Sequence, residues 1–104
     1  MREDQHVQWW KVPKEDDPEF DDKLHRIIEL LAEFMDVDPL FFYVVKMADN
    51  RWRVGDNRDR INVEKYVEPG GFLVALNDKL NWAFLTYDEF KKMFPLINTD
   101  RDLI

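Results

Sequence analysis

Residues 17–39 read DPEFDDKLHRIIELLAEFMDVDP, and this stretch decides the fold. Phe20, Leu24, Ile27, Leu31 and Phe34 recur at steps of four and three, and Ile28 and Met35 widen the stripe. That spacing lines one side of an α-helix with apolar groups. Asp17 is a suitable N-cap and Pro18 a suitable first helical residue, because the N–H that proline lacks has no helical partner there. Asp38-Pro39 is expected to close the helix, since a residue preceding proline is pushed out of the helical region.

On the N-terminal side, His6 to Val12 reads as a short strand. Its alternation sends the adjacent Trp9 and Trp10 to opposite faces. On the C-terminal side, Leu40 to Met47 is rich in aromatic and β-branched residues and reads as a buried strand. Asp49-Asn50 supplies a turn, and Arg51 to Val54 returns as its hairpin partner. Gly55 to Arg60 is expected to be a charged loop, and Ile61 to Val67 holds a short edge strand. Pro69-Gly70-Gly71 is a turn, because glycine reaches positive φ without steric cost. Phe72 to Leu76 and Leu80 to Leu85 form a second hairpin around Asn77-Asp78-Lys79. Thr86-Tyr87-Asp88-Glu89 fits a capping box, with Leu85 and Phe90 placed as its hydrophobic staple. The short helix that follows stops before Pro95, and residues 96–104 are expected to be a loose tail. Strands grouped together with helices outside the group argue α+β, not alternating βαβ units. The expectation is a single domain over residues 1–104, with a mainly antiparallel sheet of four to six strands, one long helix and one short helix.

The chain has 104 residues, 45% hydrophobic, 36% charged and 14% aromatic, the balance of a folded protein with a core. No apolar run approaches the roughly 18 to 20 residues that span a bilayer, so no membrane partner is expected. Arg2, Glu3 and Asp4 stand where a secretory leader would turn apolar, and a cytoplasmic location is expected. Lys and Arg number 15 against 22 Asp and Glu, a net charge of −7. Phosphate backbones repel such a chain, so direct nucleic-acid binding is not expected, whereas a basic protein surface is attracted. Cysteine is absent, which excludes disulfides, thiolate metal ligands and a Cys nucleophile. Serine is absent too, which excludes a Ser-based triad.

Several motifs come close to known chemistries and stop short. His25, Glu29 and Glu33 share a helix face, but a metal site lacks its second His, and Arg26 in their midst repels a cation. Asp56, Asn57 and Asp59 do not follow the spacing of a calcium loop, and Arg58 and Arg60 interleave with them. Gly70-Gly71 precedes a strand, so no helix N-terminus waits there for a phosphate. Most of the acids fall in turns, on caps or on the outer helix face, not in an apolar pocket, so no catalytic pair and no cofactor are expected.

Glu15, Asp16, Asp17, Glu19, Asp21 and Asp22 are six acids in eight residues. Two or three of them complement the positive end of the helix dipole, and each contributes about 0.3 to 1 kcal/mol. The dipole amounts to about half a charge, so six acids overshoot it and repel one another. The excess points to a partner carrying Lys or Arg. Trp10 and Trp52 join the acids as candidate contacts, because exposed Trp is enriched at interaction hot spots. Arg51, Trp52, Arg53, Arg58 and Arg60 form the one basic–aromatic cluster that could meet the phosphate of a small ligand.

Val7-Gln8-Trp9 resembles the V-Q-W opening strand of small uncharacterised proteins encoded by tailed bacteriophages. Val67-Glu68-Pro69-Gly70-Gly71-Phe72-Leu73-Val74, followed by a hairpin and Tyr87-Asp88-Glu89-Phe90, is similar to their V-x-P-G-D-W ending with its D-E-x-F helix. Gly71 stands where that family has Asp, and Phe72 where it has Trp. The motif residues read as fold determinants, and the resemblance implies a phage or prophage origin without implying an activity. The leading expectation is a non-enzymatic accessory protein that binds and inhibits a host protein of defence or nucleic-acid processing through its acidic surface. The alternatives are a sponge for a nucleotide signal and a minor virion structural protein. A homo-oligomer is compatible with each.

Overall fold

The computed structural model describes residues 7–58, 63–76 and 81–99. Their order is β1 (Val7–Lys11), α1 (Phe20–Met35), a 3-10 turn (Pro39–Phe41), β2 (Phe42–Lys46), β3 (Trp52–Asp56), β4 (Val63–Tyr66), β5 (Phe72–Leu76), β6 (Trp82–Leu85) and α2 (Tyr87–Met93). The fold is α+β. The strands form two antiparallel sheets of three, ordered β1-β5-β6 and β2-β3-β4, where one sheet was expected. They approach each other along β4 and β6, where the Lys65 ammonium donates to the Trp82 carbonyl. The turn around Asn77-Asp78-Lys79 expected between β5 and β6 lies outside the described residues.

α1 starts at Phe20, later than Pro18, because Asp17 does a different job. Its carboxylate accepts from the Glu19 amide at 2.8 Å, and its carbonyl accepts from the Phe20 amide at 3.1 Å. These bonds build a turn ahead of the helix, and the N-cap, Glu19, makes no side-chain cap bond. The helix ends at Met35, ahead of Asp38-Pro39. Asp36 takes the left-handed conformation (φ 58°), and the Val37 amide reaches back to the Ala32 carbonyl at 2.9 Å. This is a Schellman closure, and Asp is among the few non-glycine residues that visit that conformation readily. Asp38 caps the next 3-10 turn, accepting from the Leu40 amide at 3.0 Å.

The apolar stripe of α1 lies under both sheets. Leu24, Ile27, Leu31 and Ala32 pack with Trp10, Leu73, Ala75 and Trp82 of one sheet and with Phe42 and Val54 of the other. Phe34 sits at the margin of the stripe, half-buried and edge-on to Trp10 at 6.2 Å. The opposite face of the first sheet is covered as well. Trp9, Phe72 and Val74 pack there with Phe90 of α2 and with Ile97. Both tryptophans of β1 are therefore core residues, and Trp10, 4% exposed, is not available to a partner as the sequence reading expected. The expected loose tail is also corrected in part. Ile97 and Thr99 are buried, so the chain is docked through Thr99.

Two local devices hold the first sheet. Glu68-Pro69-Gly70-Gly71 is a type II turn, with Gly70 at φ +76° and the Gly71 amide donating to the Glu68 carbonyl at 2.9 Å. The Gly70 amide donates to the Pro13 carbonyl, which ties this turn to the end of β1. Thr86 makes the full capping box of α2: its hydroxyl accepts from the Glu89 amide at 3.1 Å, and Glu89 accepts from the Thr86 amide at 2.9 Å.

Candidate functional site

The acidic run divides into acids with local work and acids without it. Asp17 receives the Lys23 ammonium at 2.8 Å, and this bond, with that of the Glu19 amide, holds its carboxyl below the usual carboxylate range. Asp21 faces His25 across 2.8 Å, so the imidazole turns back along the helix towards Asp21. Glu19 lies 4.0 Å from Lys23. Glu15, Asp16 and Asp22 are exposed and make no ion pair among the described residues. The same is true of Glu29 and Glu33 further along α1, because the buried stripe turns these positions outward. Asp22 and Arg26, one helical turn apart, form no ion pair among the described residues.

Two clefts flank the run. One is lined by Lys11, Lys14, Lys23, Tyr87 and Thr99 together with Asp16, so its acids are offset by lysines. The other brings Glu15, Asp21 and Glu68 to Arg51 and Trp52. Trp52 is half-buried there, 5.9 Å from Phe20 and 5.7 Å from the Lys46 ammonium. Of the candidate partner contacts, the structure thus joins Trp52 to the acidic run and leaves Trp10 in the core.

The basic–aromatic cluster is taken apart by strand alternation. Trp52 points inward to Phe20. Arg51 stacks on Tyr66 at 3.7 Å, and Arg53 reaches Glu64 at 3.5 Å on the outer face of the second sheet. Arg58 turns inward to Asp56, and Arg60 lies outside the described residues. Arg51 and Arg53 stay together on the outer face, 3.7 and 5.8 Å from the Tyr66 ring, while Trp52 and Arg58 turn away from them.

A polar centre that sequence reasoning missed lies between the sheets. Asp56, read as a loop residue, ends β3 with 1% exposure. Its carboxylate accepts Arg58 Nε at 3.0 Å on both oxygens, the Arg58 amide at 3.2 Å and the Trp82 indole N–H at 3.1 Å. Lys65 approaches from β4, 4.8 Å above the Trp82 ring. Partial burial pushes its ammonium down from the usual lysine range, against the pull of the Asp56 charge. The signal was present: Trp52, Val54 and Asp56 alternate along one face of a strand. With its bonds made within the fold, this centre works as a clasp between sheets.

Among the described residues, no group of three or more His, Asp or Glu is arranged to hold a metal, and no helix is long and apolar enough to cross a membrane. No protein-family model matches the chain, and no curated protein or solved structure does. A Cβ on Gly71 would meet the Leu85 carbonyl at 2.1 Å. The backbone of β6 occupies the space that a side chain at position 71 would need.

Proposed function

We propose that this chain is a non-enzymatic phage accessory protein that binds a basic surface of a host protein and inhibits it by occupying that surface. One observation carries the reading. Glu15, Asp16, Asp22, Glu29 and Glu33 stand exposed along the acidic run and the outer face of α1 with no ion pair among the described residues. Fold stability asks for no such set, because like charges spaced along one helix repel. A surface rich in Lys and Arg, such as one that holds nucleic-acid phosphate, relieves the repulsion when it docks. The half-buried Trp52 at the neighbouring cleft supplies an apolar anchor beside the acids. The phage origin rests on the resemblance of the two ends of the chain, and the host cytoplasm follows from that origin.

The test compares the parent with an Asp16→Asn, Asp22→Asn, Glu29→Gln, Glu33→Gln variant. Asp17 and Asp21 are left alone because they bond within the helix start. Both proteins are used to capture partners from a bacterial lysate, and association kinetics are then measured with the purified partner. The variant is expected to associate about tenfold more slowly or worse at low salt, with a smaller change in dissociation, because exposed charges act chiefly on the encounter. High salt should erase the difference. A variant that binds as fast as the parent at low salt overturns the reading.

A further inference from the structure

The second sheet and the turn before it carry a run of exposed apolar groups on the outer side. Leu40 is 90% exposed, and Phe41, Tyr43, Val45 and Tyr66 are exposed as well. Four of these five lie within six residues, at the start of β2 and along it. β2 is also the outermost strand of its sheet. The other outer strand at this level, β1, has only buried or half-buried residues. An apolar edge strand without an internal charge or proline is a template for pairing with another strand.

The hydrogen-bond phase of β2 is fixed on the page. The Met47 amide donates to the Arg51 carbonyl at 2.7 Å, and the Asn57 amide donates to the Phe41 carbonyl at 2.9 Å. Bonding alternates along an antiparallel ladder. Phe41, Tyr43, Val45 and Met47 therefore turn their backbone groups towards β3, and Phe42, Val44 and Lys46 turn theirs to the open edge. The Phe42 amide donates to the Pro39 carbonyl of the preceding 3-10 turn, and no turn, loop or side-chain hydrogen bond among the described residues takes the other outward groups.

We infer that the open edge of β2 pairs antiparallel with β2 of a second copy of this chain, about a twofold axis at Val44. The register is self-complementary. Val44 meets its own equivalent and can exchange both bonds with it, and the Phe42 carbonyl meets the Lys46 amide of the second copy. On the outer face, Tyr43 of each copy lies opposite Val45 of the other; the Tyr43 ring leans inward over Gly55, so Val45 of each copy is the apolar group that pairing covers. The ends are complementary in charge. Asp36 and Asp38 precede β2 in each copy, while Lys46, Asp49 and Arg51 give its far end a net positive charge, so antiparallel pairing sets acid against base at both ends. The two three-stranded sheets become one of six. A twofold perpendicular to that sheet leaves both α1 helices on the same side, so a dimer presents its two acidic faces together.

Sedimentation equilibrium of the full chain over a concentration series tests this. The parent is expected to pass from 12.7 kDa to twice that mass as concentration rises. Val44→Pro removes an outward N–H while the bonds to β3 remain, and it is expected to stay monomeric with the parent's circular dichroism spectrum. Val45→Lys leaves every backbone group in place and is expected to weaken the dimer about tenfold or more, because a charged edge blocks pairing. Tyr66→Lys, on the same face two strands away, is expected to leave the dimer constant unchanged. If Val44→Pro does not fold, Val45→Lys decides alone. A parent that stays monomeric at every concentration, or a dimer as tight in Val45→Lys as in the parent, overturns the inference. Neither result bears on the acidic face of α1, which is tested by its own variant.

Discussion

The Trp82 indole N–H donates to Asp56 Oδ2 at 3.1 Å, and this bond joins β6 of one sheet to β3 of the other. Asp56 is 1% exposed, and the Arg58 guanidinium that pairs with it is only 13% exposed. A buried pair of this kind gains little over an apolar substitute, but losing one partner strands the other charge away from water. Asp56→Ala is therefore expected to destabilise by about 3 to 5 kcal/mol. Trp82→Phe keeps most of the ring packing and loses one bond to a charged acceptor, which costs about 1.5 to 3 kcal/mol. Urea denaturation at neutral pH measures both. A ranking with Trp82→Phe as the more damaging would show that ring packing, and not the carboxylate, holds the sheets together.

Lys65 gives the same region a pH dependence on the alkaline side. Partial burial lowers its folded pKa, so between that value and the ordinary lysine value the unfolded chain binds more protons. Stability then rises with pH across this window, by linkage. Lys65→Met is expected to flatten the rise on the acid side of the ordinary lysine value of about 10.4, where unperturbed lysine is still charged. Thermal unfolding midpoints across the range, for parent and variant, read the difference in slope. Parallel curves would remove Lys65 as the cause.

The capping box of α2 has a signature in both stability and pH. Thr86→Ala loses an N-cap and is expected to cost about 1 kcal/mol. The bonds from the Thr86 amide and hydroxyl hold the Glu89 carboxyl below its usual range. A depressed carboxylate contributes stability that is present above the ordinary carboxylate range and is lost as pH falls through the folded value. Glu89→Gln should therefore lose part of the parent's acid sensitivity below about pH 4.5. Asp17 is depressed by Lys23 in the same sense, so Lys23→Met should act likewise at the start of α1. Acid titrations followed by circular dichroism measure these effects. Acid curves identical to the parent's would exclude the two carboxylates as contributors.

Gly70 and Gly71 are required for different reasons, and substitution separates them. Gly70 has φ +76° and a Cβ there would meet only the Lys14 side chain at an ordinary 3.9 Å, so Gly70→Ala is strained by about 1 to 2 kcal/mol through backbone conformation alone. Gly71 has no such φ, but a Cβ there meets the Leu85 carbonyl at 2.1 Å. Gly71→Ala is expected to cost about 1 to 3 kcal/mol by overpacking and to loosen β5 from β6. Amide exchange should then rise at Ala83 and Leu85 for Gly71→Ala and not for Gly70→Ala. Equal exchange in the two variants would refute the close approach as the distinct cause.

Much of the candidate surface was legible in the chain itself, because acids in a run stay solvated unless something pairs with them. Glu15, Asp16 and Asp22 are exposed as their composition implied. Asp17 and Asp21 differ because Lys23 and His25 stand one turn or so away, a pairing that depends on where the helix starts. Trp10 was misplaced for another reason. Alternation put it opposite Trp9, but alternation is silent on whether both faces of a sheet are covered, and here α1 covers one face while α2 and Ile97 cover the other.

The sequence by itself determined the elements whose cause is local: the apolar stripe of α1, the capping box at Thr86 and Glu89, and the turn at Pro69-Gly70. Each depends on residues within about one helical turn of one another, where sterics and capping bonds act without help from the rest of the chain. Only the tertiary structure decided that β1 pairs with β5, that six strands split into two sheets, and that Asp56 closes the seam between them with Trp82. Periodicity tells which residues share a face and not which face is inside. Pairing between distant strands is chosen by the packing that α1 permits once the chain has closed around it.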